Sequence, residues 1–498
     1  MSVRSKPNRE GEAPAEPERD GSELPQGWAS AFLKQVVDFK KGKKPNELRN
    51  TTADGFVPYL DIQAIQEQNI RQFADVASSR LSEPSDILVV WDGARSGLVG
   101  MAERGAIGST IMALSAKGLD SGYLRQFIAS QYDSINSNTR GTGIPHVDPE
   151  VFWNLSVPIA PLAEQRRIVG KLELLLGKVS SSQQRLSRVP GLLKRFRQSV
   201  LAAACSGKLT ADWREENDDI EPASTLRDRI QSQLRRPLAA NEWEEQPLDV
   251  PPTWEWVQAE DLCRRSSTIT YGVLKPVWVT QGVPTVRVQD MKGGMIAVEA
   301  VGHCSPERAE KFSKTTLEVG DLLIAKDGAT LGKTAFVPAS LAGGNITQHV
   351  LRFPITPCVA TVFVRLVIDS RHGREWMRIE TKGVALPGVN VGDFRRMPIP
   401  LPPLSEQQEI VRRVEKLFAF ADQIEARLRQ AQAHVDRLTQ SLLAKAFRGE
   451  LVPTEAALAA KEGRDYETAE TLLTRIRATS KEESIKPSQR KKGQVRDA

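Results

Sequence analysis

Apolar residues recur at alternating spacings of four and three in two separate stretches of the chain. The first stretch runs Ile168, Leu172, Leu175, Val179, a polar Ser182, then Leu186, Val189, Leu193, Phe196 and Val200. The second runs Ile410, Val414, Leu417, Ala421, Ile424, Leu428, Ala431, Val435, Leu438 and Leu442. A heptad seam with charge between its members predicts a coiled-coil helix. About 40 residues at roughly 1.5 Å rise give a helix on the order of 60 Å long. Residues 141–209 lie on 383–451 without a gap, and 23 of the 69 aligned positions are identical. A register held that long marks a duplication. Each seam follows its own globular stretch, so the first helix delivers the chain to the second globular stretch. The second helix, pairing along its length, runs back. The expected pair is antiparallel with a pseudo-twofold axis. Pro190-Gly191 interrupts the first seam where the second copy has Gln432-Ala433, which predicts a kink or brief break.

The globular stretches repeat more loosely. Leu24-Pro25 through Trp28 corresponds to Val250-Pro251 through Trp254, and the same offset carries Val57-Pro58 onto Val283-Pro284 and Gln63 onto Gln289. Further on, Asp86-Ile87-Leu88 matches Asp321-Leu322-Leu323, Asp92-Gly93 matches Asp327-Gly328, and Gly97 matches Gly332. The apolar runs at 86–91 and 321–325 end at Asp-Gly and read as strands. Leu124–Ile128 and Phe363–Ile368 read as helices beside a sheet. The fold class is therefore α/β, mixed α+β, in two tandem recognition-type domains joined by two long antiparallel coiled-coil helices. A third echo, Leu226 and Ile230 against Leu472 and Ile476, predicts a short amphipathic helix after each long one. The expected divisions are a disordered leader at 1–23, a first domain at 24–160, a spacer helix, short helix and linker at 161–249, a second domain at 250–402, a distal spacer and short helix at 403–480, and a basic disordered tail at 481–498.

Composition adds limits. The net charge is +6 over 498 residues, which permits a polyanionic partner without requiring one. No run of about 18 apolar residues could span a membrane, and the start of the chain has no apolar signal core. Four scattered cysteines form neither a metal-type pair nor a disulfide framework, which fits a cytoplasmic protein.

Chemistry is thin. Gly328-Ala-Thr-Leu-Gly332-Lys333-Thr334 imitates a phosphate loop, but three residues separate its glycines where four are needed. The matching Gly93–Gly97 stretch lacks the Lys-Thr. The five histidines have no metal-ligand spacing. The polar residues that recur, Asp86/Asp321, Asp92/Asp327 and Glu164-Gln165/Glu406-Gln407, read as turn and helix-cap residues. Three function classes follow: a non-catalytic DNA reader, a stand-alone nuclease or NTPase using the Gly328–Thr334 loop, and a protein-binding tandem-repeat scaffold.

Pro161-Leu-Ala-Glu-Gln and Pro403-Leu-Ser-Glu-Gln, each running on into Ile-Val, resemble the helix-opening signature of the specificity subunit of type I restriction–modification systems. Gln198-Ser-Val-Leu-Ala and Gln440-Ser-Leu-Leu-Ala resemble the signature that closes the same helices. The resemblance spans about residues 24–480. It implies that each globular domain reads one half of a bipartite double-stranded DNA site, with the helices as spacer. It implies binding to two modification (methyltransferase) subunits, joined by restriction/translocase subunits, in DNA methylation and phage defence. It also implies no cofactor here: S-adenosylmethionine, ATP and Mg belong to the partners. Basic residues beside the repeat-matched turns, Arg95, Arg140, Lys326, Lys333, Arg395 and Arg396, are the candidate DNA contacts.

Overall fold

Short β-branched runs closed by glycine turns build both globular parts. The computed structural model describes residues 24–485 apart from 68, 142, 218, 235, 240–247, 266, 380 and 383–387. The leader at 1–23, most of the linker and the tail beyond 485 lie outside the described residues. Residues 481–485, assigned to the tail from sequence, form the last turn of a helix.

In chain order the elements that matter are β1 (Ala29–Phe32), β2 (Val37–Lys41), β3 (Phe56–Leu60), α1 (Ile62–Glu67), β4 (Ile87–Val90), β5 (Val99–Met101), β6 (Gly105–Ile107), β7 (Ile111–Ala116), α2 (Ser121–Ser130), β8 (Ser156–Ile159) and the long helix α3 (Leu162–Cys205). Then come α4 (Ala223–Gln233), β9 (Glu255–Gln258), β10 (Thr270–Tyr271), β11 (Val283–Val286), β12 (Leu322–Ala325), β13 (Thr334–Phe336), β14 (Asn345–Ile346), β15 (Val350–Phe353), α5 (Thr361–Asp369), β16 (Pro398–Leu401), the second long helix α6 (Leu404–Phe447) and α7 (Ala469–Ile485). The chain divides into two compact units, Met1–Arg185 with Ala431–Ala498, and Leu186–Gln430. Sequence copies and compact units therefore do not coincide, because each unit takes residues from both long helices.

The main sheets correspond strand for strand. The first unit orders its sheet β2-β7-β4-β5 and the second β10-β15-β12-β13. The central strands β4 and β12 are buried throughout. A second layer in each unit carries one parallel pair, β3 with β6 and β11 with β14. The predicted helices α2 and α5 bury Leu124, Phe127 and Ile128 and Phe363, Val364 and Val367 against these sheets. The third echo is also realised: Leu472 and Ile476 join the core of the first unit, Leu226 and Ile230 that of the second.

Antiparallel pairing is visible inside each unit. In the first, Ile168 and Leu172 near the start of α3 pack with Leu442, Leu443 and Ala446 near the end of α6. In the second, Val200, Leu201 and Ala204 near the end of α3 pack with Ile410 and Val414 at the start of α6. Val179, Leu193 and Leu428 are buried, while Leu175, Leu186, Phe196, Leu417, Ile424, Val435 and Leu442 are half-buried. Leu438, expected in the seam, is 40% exposed. It lies close in sequence to Asp436, which accepts from Gln183 Nε2 across the helices, so hydrophilic contacts take over where the first seam carries Ser182. The expected break at Pro190 is absent, and α3 continues through it. Proline removes one N–H from the ladder, and the seam continues past it to Leu193, which is buried.

The Glu-Gln pairs do more than cap. Glu164 accepts from Trp28 Nε1 at 3.1 Å and from the Glu455 backbone N–H at 2.8 Å. Glu406 accepts from Trp254 Nε1 at 2.8 Å and Thr210 Oγ1 at 2.7 Å, and pairs with Arg214. Gln165 accepts from the Asp120 N–H and donates to the Ala160 carbonyl, and Gln407 does the same with Ala360 and Pro402. All four side chains are fully buried. Each glutamate thus joins the entry tryptophan of its domain to the segment that follows the other long helix. Burial raises the Glu164 carboxyl above the ordinary carboxylate range.

Glu406→Ala would strand the Arg214 charge and two neutral donors in a buried site, at a cost of about 3–5 kcal/mol. Glu425→Ala removes only solvent-side partners of Arg197 and Arg429 and is expected to cost about 0–1 kcal/mol; denaturant unfolding followed by tryptophan fluorescence separates the two. Glu409 accepts from Arg412 and Arg413, which hold its carboxyl down at about 2. A carboxyl lower in the folded state than its usual 4.5 contributes stability above pH 4.5 that is lost as the pH falls toward 2. Glu409→Gln is therefore expected to lower the unfolding midpoint at pH 7, with the gap to wild type closing near pH 2.

Candidate nucleic-acid interface

Strand register collects one set of connections on a single rim of each main sheet. In the first unit β7 pairs Met112 with Lys41 and Ile111 with Val90. The chain leaving β2, the loop after β4 and the turn entering β7 therefore lie side by side. The end of β3 joins them, because Leu60 pairs in parallel with Ile107 just before that turn. The second unit repeats the plan through Tyr271 on Leu351, Ala325 on Val350 and Val286 on Ile346.

The loop after the central strand is one structure written twice. Gly97 N–H donates to the Val90 carbonyl and Gly332 N–H to the Ala325 carbonyl, both at 2.8 Å. Ser96 donates to Gly93 and Leu331 to Gly328, both at 3.0 Å; Leu98 donates to Arg95 at 3.1 Å and Lys333 to Thr330 at 3.0 Å. Gly93, Gly97, Gly328 and Gly332 all have positive φ, a backbone that side-chain-bearing residues adopt at a cost of about 1–3 kcal/mol. Asp92 anchors the first loop through His146 Nδ1 at 2.7 Å and Lys41 Nζ at 3.1 Å. Asp327 anchors the second through His349 Nδ1 at 2.7 Å and Lys326 Nζ at 2.8 Å.

This geometry is not a phosphate loop. A single 3-10 turn at Gly328–Thr330 is followed three residues later by strand β13, with no α-helix after the loop. The Thr334 hydroxyl is buried and bonded to Asp369, so it cannot serve a nucleotide-bound cation.

The six basic candidates divide. Arg95 and Lys333 are exposed on the rim loops and, among the described residues, have no ion-pair partner. The rest are engaged within the fold: Arg140 with Asp148 and Glu150, Lys326 with Asp327, Arg395 with the Ile269 carbonyl and Glu260, and Arg396 with Asp393. Rim groups that the sequence reading passed over are Lys43 and Lys44, exposed after β2, and Lys275, Trp278 and Gln348 in the second unit. The run Lys40-Lys41-Gly42-Lys43-Lys44 was a usable signal; nothing marked Lys275. In the second unit the rim encloses a cleft of about 640 Å³, lined among others by Lys275, Trp278, Arg287, Gln289, Lys333 and Gln348. Arg287 stacks 5.3 Å from the Trp278 ring centroid and is held by buried Asp290. Lys275 has φ 46°, the one non-glycine residue with positive φ among the described residues. Side-chain donors, cations and an exposed indole around a cleft suit a polyanion bearing flat, hydrogen-bonding rings.

Among the described residues no cluster of His, Cys, Asp and Glu could hold a metal ion, and no helix is long and apolar enough to cross a membrane. The four cysteines are free.

Comparisons with known proteins follow the same lines. The family model for the type I restriction modification DNA specificity domain matches residues 25–190 and again 251–432. The chain is 29% identical over 475 residues to the type I restriction enzyme EcoBI specificity subunit of Escherichia coli, covering 93% of this chain and 95% of that one. It is 28% identical over 493 residues to the StySPI specificity subunit of Salmonella potsdam, covering 94% and 99%. Among solved structures, a chain from work on complex assembly and conformational transition of the type I R-M system superposes with a TM-score of 0.61 at 20% identity, covering 86% of this chain and 99% of that one. The HsdS subunit from Thermoanaerobacter tengcongensis gives 0.50 at 21%, covering 86% and 99%; both likenesses concern the fold. With the model matched twice, over most of its length and on the two halves that share one scaffold, the chain belongs to the type I restriction modification DNA specificity family.

Proposed function

We propose that this chain is the non-catalytic sequence-reading subunit of a type I restriction–modification complex. Each unit reads one half of a bipartite double-stranded DNA site through its rim. The paired long helices act as the spacer that sets the gap between half-sites. Two modification subunits and the restriction subunits assemble on the chain and carry the S-adenosylmethionine, ATP and Mg²⁺ chemistry. The observation that carries this reading is the matched rim loop, alike in its internal backbone hydrogen bonds and positive-φ glycines but different in its charged side chains. A fixed frame with exchanged side chains suits two readers of different sequences, since phosphate contacts position a protein and base-edge contacts specify. Arg95, Lys333, Lys43, Lys44 and Lys275 are the phosphate-facing groups. The other four candidates, already paired within the fold, act as structural supports.

The full chain, purified with its modification subunit, is expected to select one bipartite sequence from a random duplex library; selection of no sequence, or of a single uninterrupted one, would overturn the reading. Lys333→Ala is expected to weaken binding about equally on all sequences and to lower the salt slope of log K by about 0.9, the loss of one phosphate contact. Arg140→Ala, whose guanidinium is already engaged by Asp148 and Glu150, is expected to leave that slope unchanged. Fluorescence anisotropy across a salt series measures both.

A further inference from the structure

Gln63 and Gln289 occupy the same place in the two units. Both follow the rim-facing end of the parallel strand, β3 or β11, by three residues, and that strand end is fixed identically. The Gly108 N–H donates to the Leu60 carbonyl and the Thr347 N–H to the Val286 carbonyl, both at 3.0 Å. Each glutamine is the second residue of the turn that follows, α1 in the first unit and Val288–Asp290 in the second. Each also lies beside the matched loop. Ile62, next to Gln63, comes within 3.9 Å of the position a Cβ on Gly93 would take. Gln289 lines the cleft together with Asp327 and Lys333.

The other matched polar residues and glycines of the rim have folding tasks: the aspartates anchor histidines, and the glycines supply positive φ, while the matched, exposed Ala94 and Ala329 carry no polar group. The glutamines have none of this kind. Both are exposed. Gln289 has no hydrogen bond among the described residues. Gln63 accepts one bond at 2.9 Å, from Arg71, itself paired to Glu67, which orients the carboxamide without burying it. The cations around them have moved: Arg95 corresponds to Thr330, and Lys333 to Leu98. An uncharged amide thus stays in place on two rims whose charges have changed.

We infer that Gln63 and Gln289 are specificity-determining residues that each read an adenine in the major groove. The carboxamide oxygen accepts from adenine N6–H while the amide nitrogen donates to N7, a donor–acceptor pair that no other base offers there. This rests on the DNA-reading function proposed above and adds a ligand to a named side chain. It requires an adenine at the same position of each half-site, counted in the frame of the unit that reads it.

The test is selection from a random duplex library by the full chain with its modification subunit, comparing wild type, Gln63→Ala, Gln289→Ala and Gln289→Glu. Each alanine variant is expected to lose adenine preference at one position of one half-site only, by between about 5- and 150-fold. Gln289→Glu is expected to move that position toward cytosine, because a carboxylate only accepts and cytosine N4 donates. Unchanged melting temperatures of the variants would show that folding is intact, as expected for exposed side chains. Variants that keep the wild-type consensus, or that lose affinity evenly across all sequences, would overturn the assignment while leaving the DNA-reading function standing. A half-site without adenine in the wild-type consensus would overturn it as well. A wild-type complex with no bipartite preference would instead defeat the function on which it rests.

Discussion

Two buried carboxylates hold the architecture together. Glu164 and Glu406 each stand at the start of a long helix and are bonded to the domain entrance on one side and to the exit of the other helix on the other. A fully buried carboxylate is tolerable only when several donors converge on it. Those donors are available only if the second helix returns antiparallel to the first, so the direction of pairing is written into these contacts as well as into the apolar seam. The adjacent glutamines extend the constraint, because Gln165 and Gln407 fix the residues that open α2 and α5. One dipeptide per copy thus sets helix start, domain entrance and domain helix together.

With the frame fixed from below, the rim is free to vary. Strand ends, glycine turns and the anchoring Asp–His pairs are common to both units, whereas Arg95 and Lys333 occupy different positions of one loop. Most other cations near the rim are paired within the fold and already partly neutralised. An unpaired surface cation keeps its full attraction for a phosphate, while one bridged to a carboxylate would first have to give up its partner. That distinction, invisible in a charge count of +6, separates the two unpaired candidates from the four that are engaged within the fold.

Much of this was legible in the sequence, and the failures have physical causes. Heptad spacing gave both long helices and most of the seam. The offset between copies gave matched strands, loops and short helices, because repeat register needs no knowledge of tertiary structure. Leu438 was placed in the seam by spacing alone, yet it is 40% exposed, close in sequence to the hydrophilic cross-helix contact of Asp436 with Gln183. Pro190 was expected to kink or briefly break its helix, and the helix runs through it without a break. Glu164 and Glu406 looked like caps because local reading supplies only local partners; Glu455 and Thr210 lie 291 and 196 residues away. The unpaired state of Lys275 or the pairing of Arg395 with the Ile269 carbonyl depends on three-dimensional neighbours that no spacing rule reaches.

The division between a constrained base and a variable rim has a consequence for how such a chain can change. Substitutions on the rim touch exposed side chains at loop positions whose backbone is set by glycines and main-chain hydrogen bonds, so they cost little stability. Substitutions at the Glu-Gln pairs disturb several partners at once. A rim side chain in one unit can therefore be exchanged without disturbing the pairing of the helices. The pattern inside this one chain agrees: about a third of positions are identical across the helical repeat, 23 of 69, against scattered blocks in the globular parts. Within those blocks the surviving polar matches are the aspartates that anchor the loops and the two exposed glutamines.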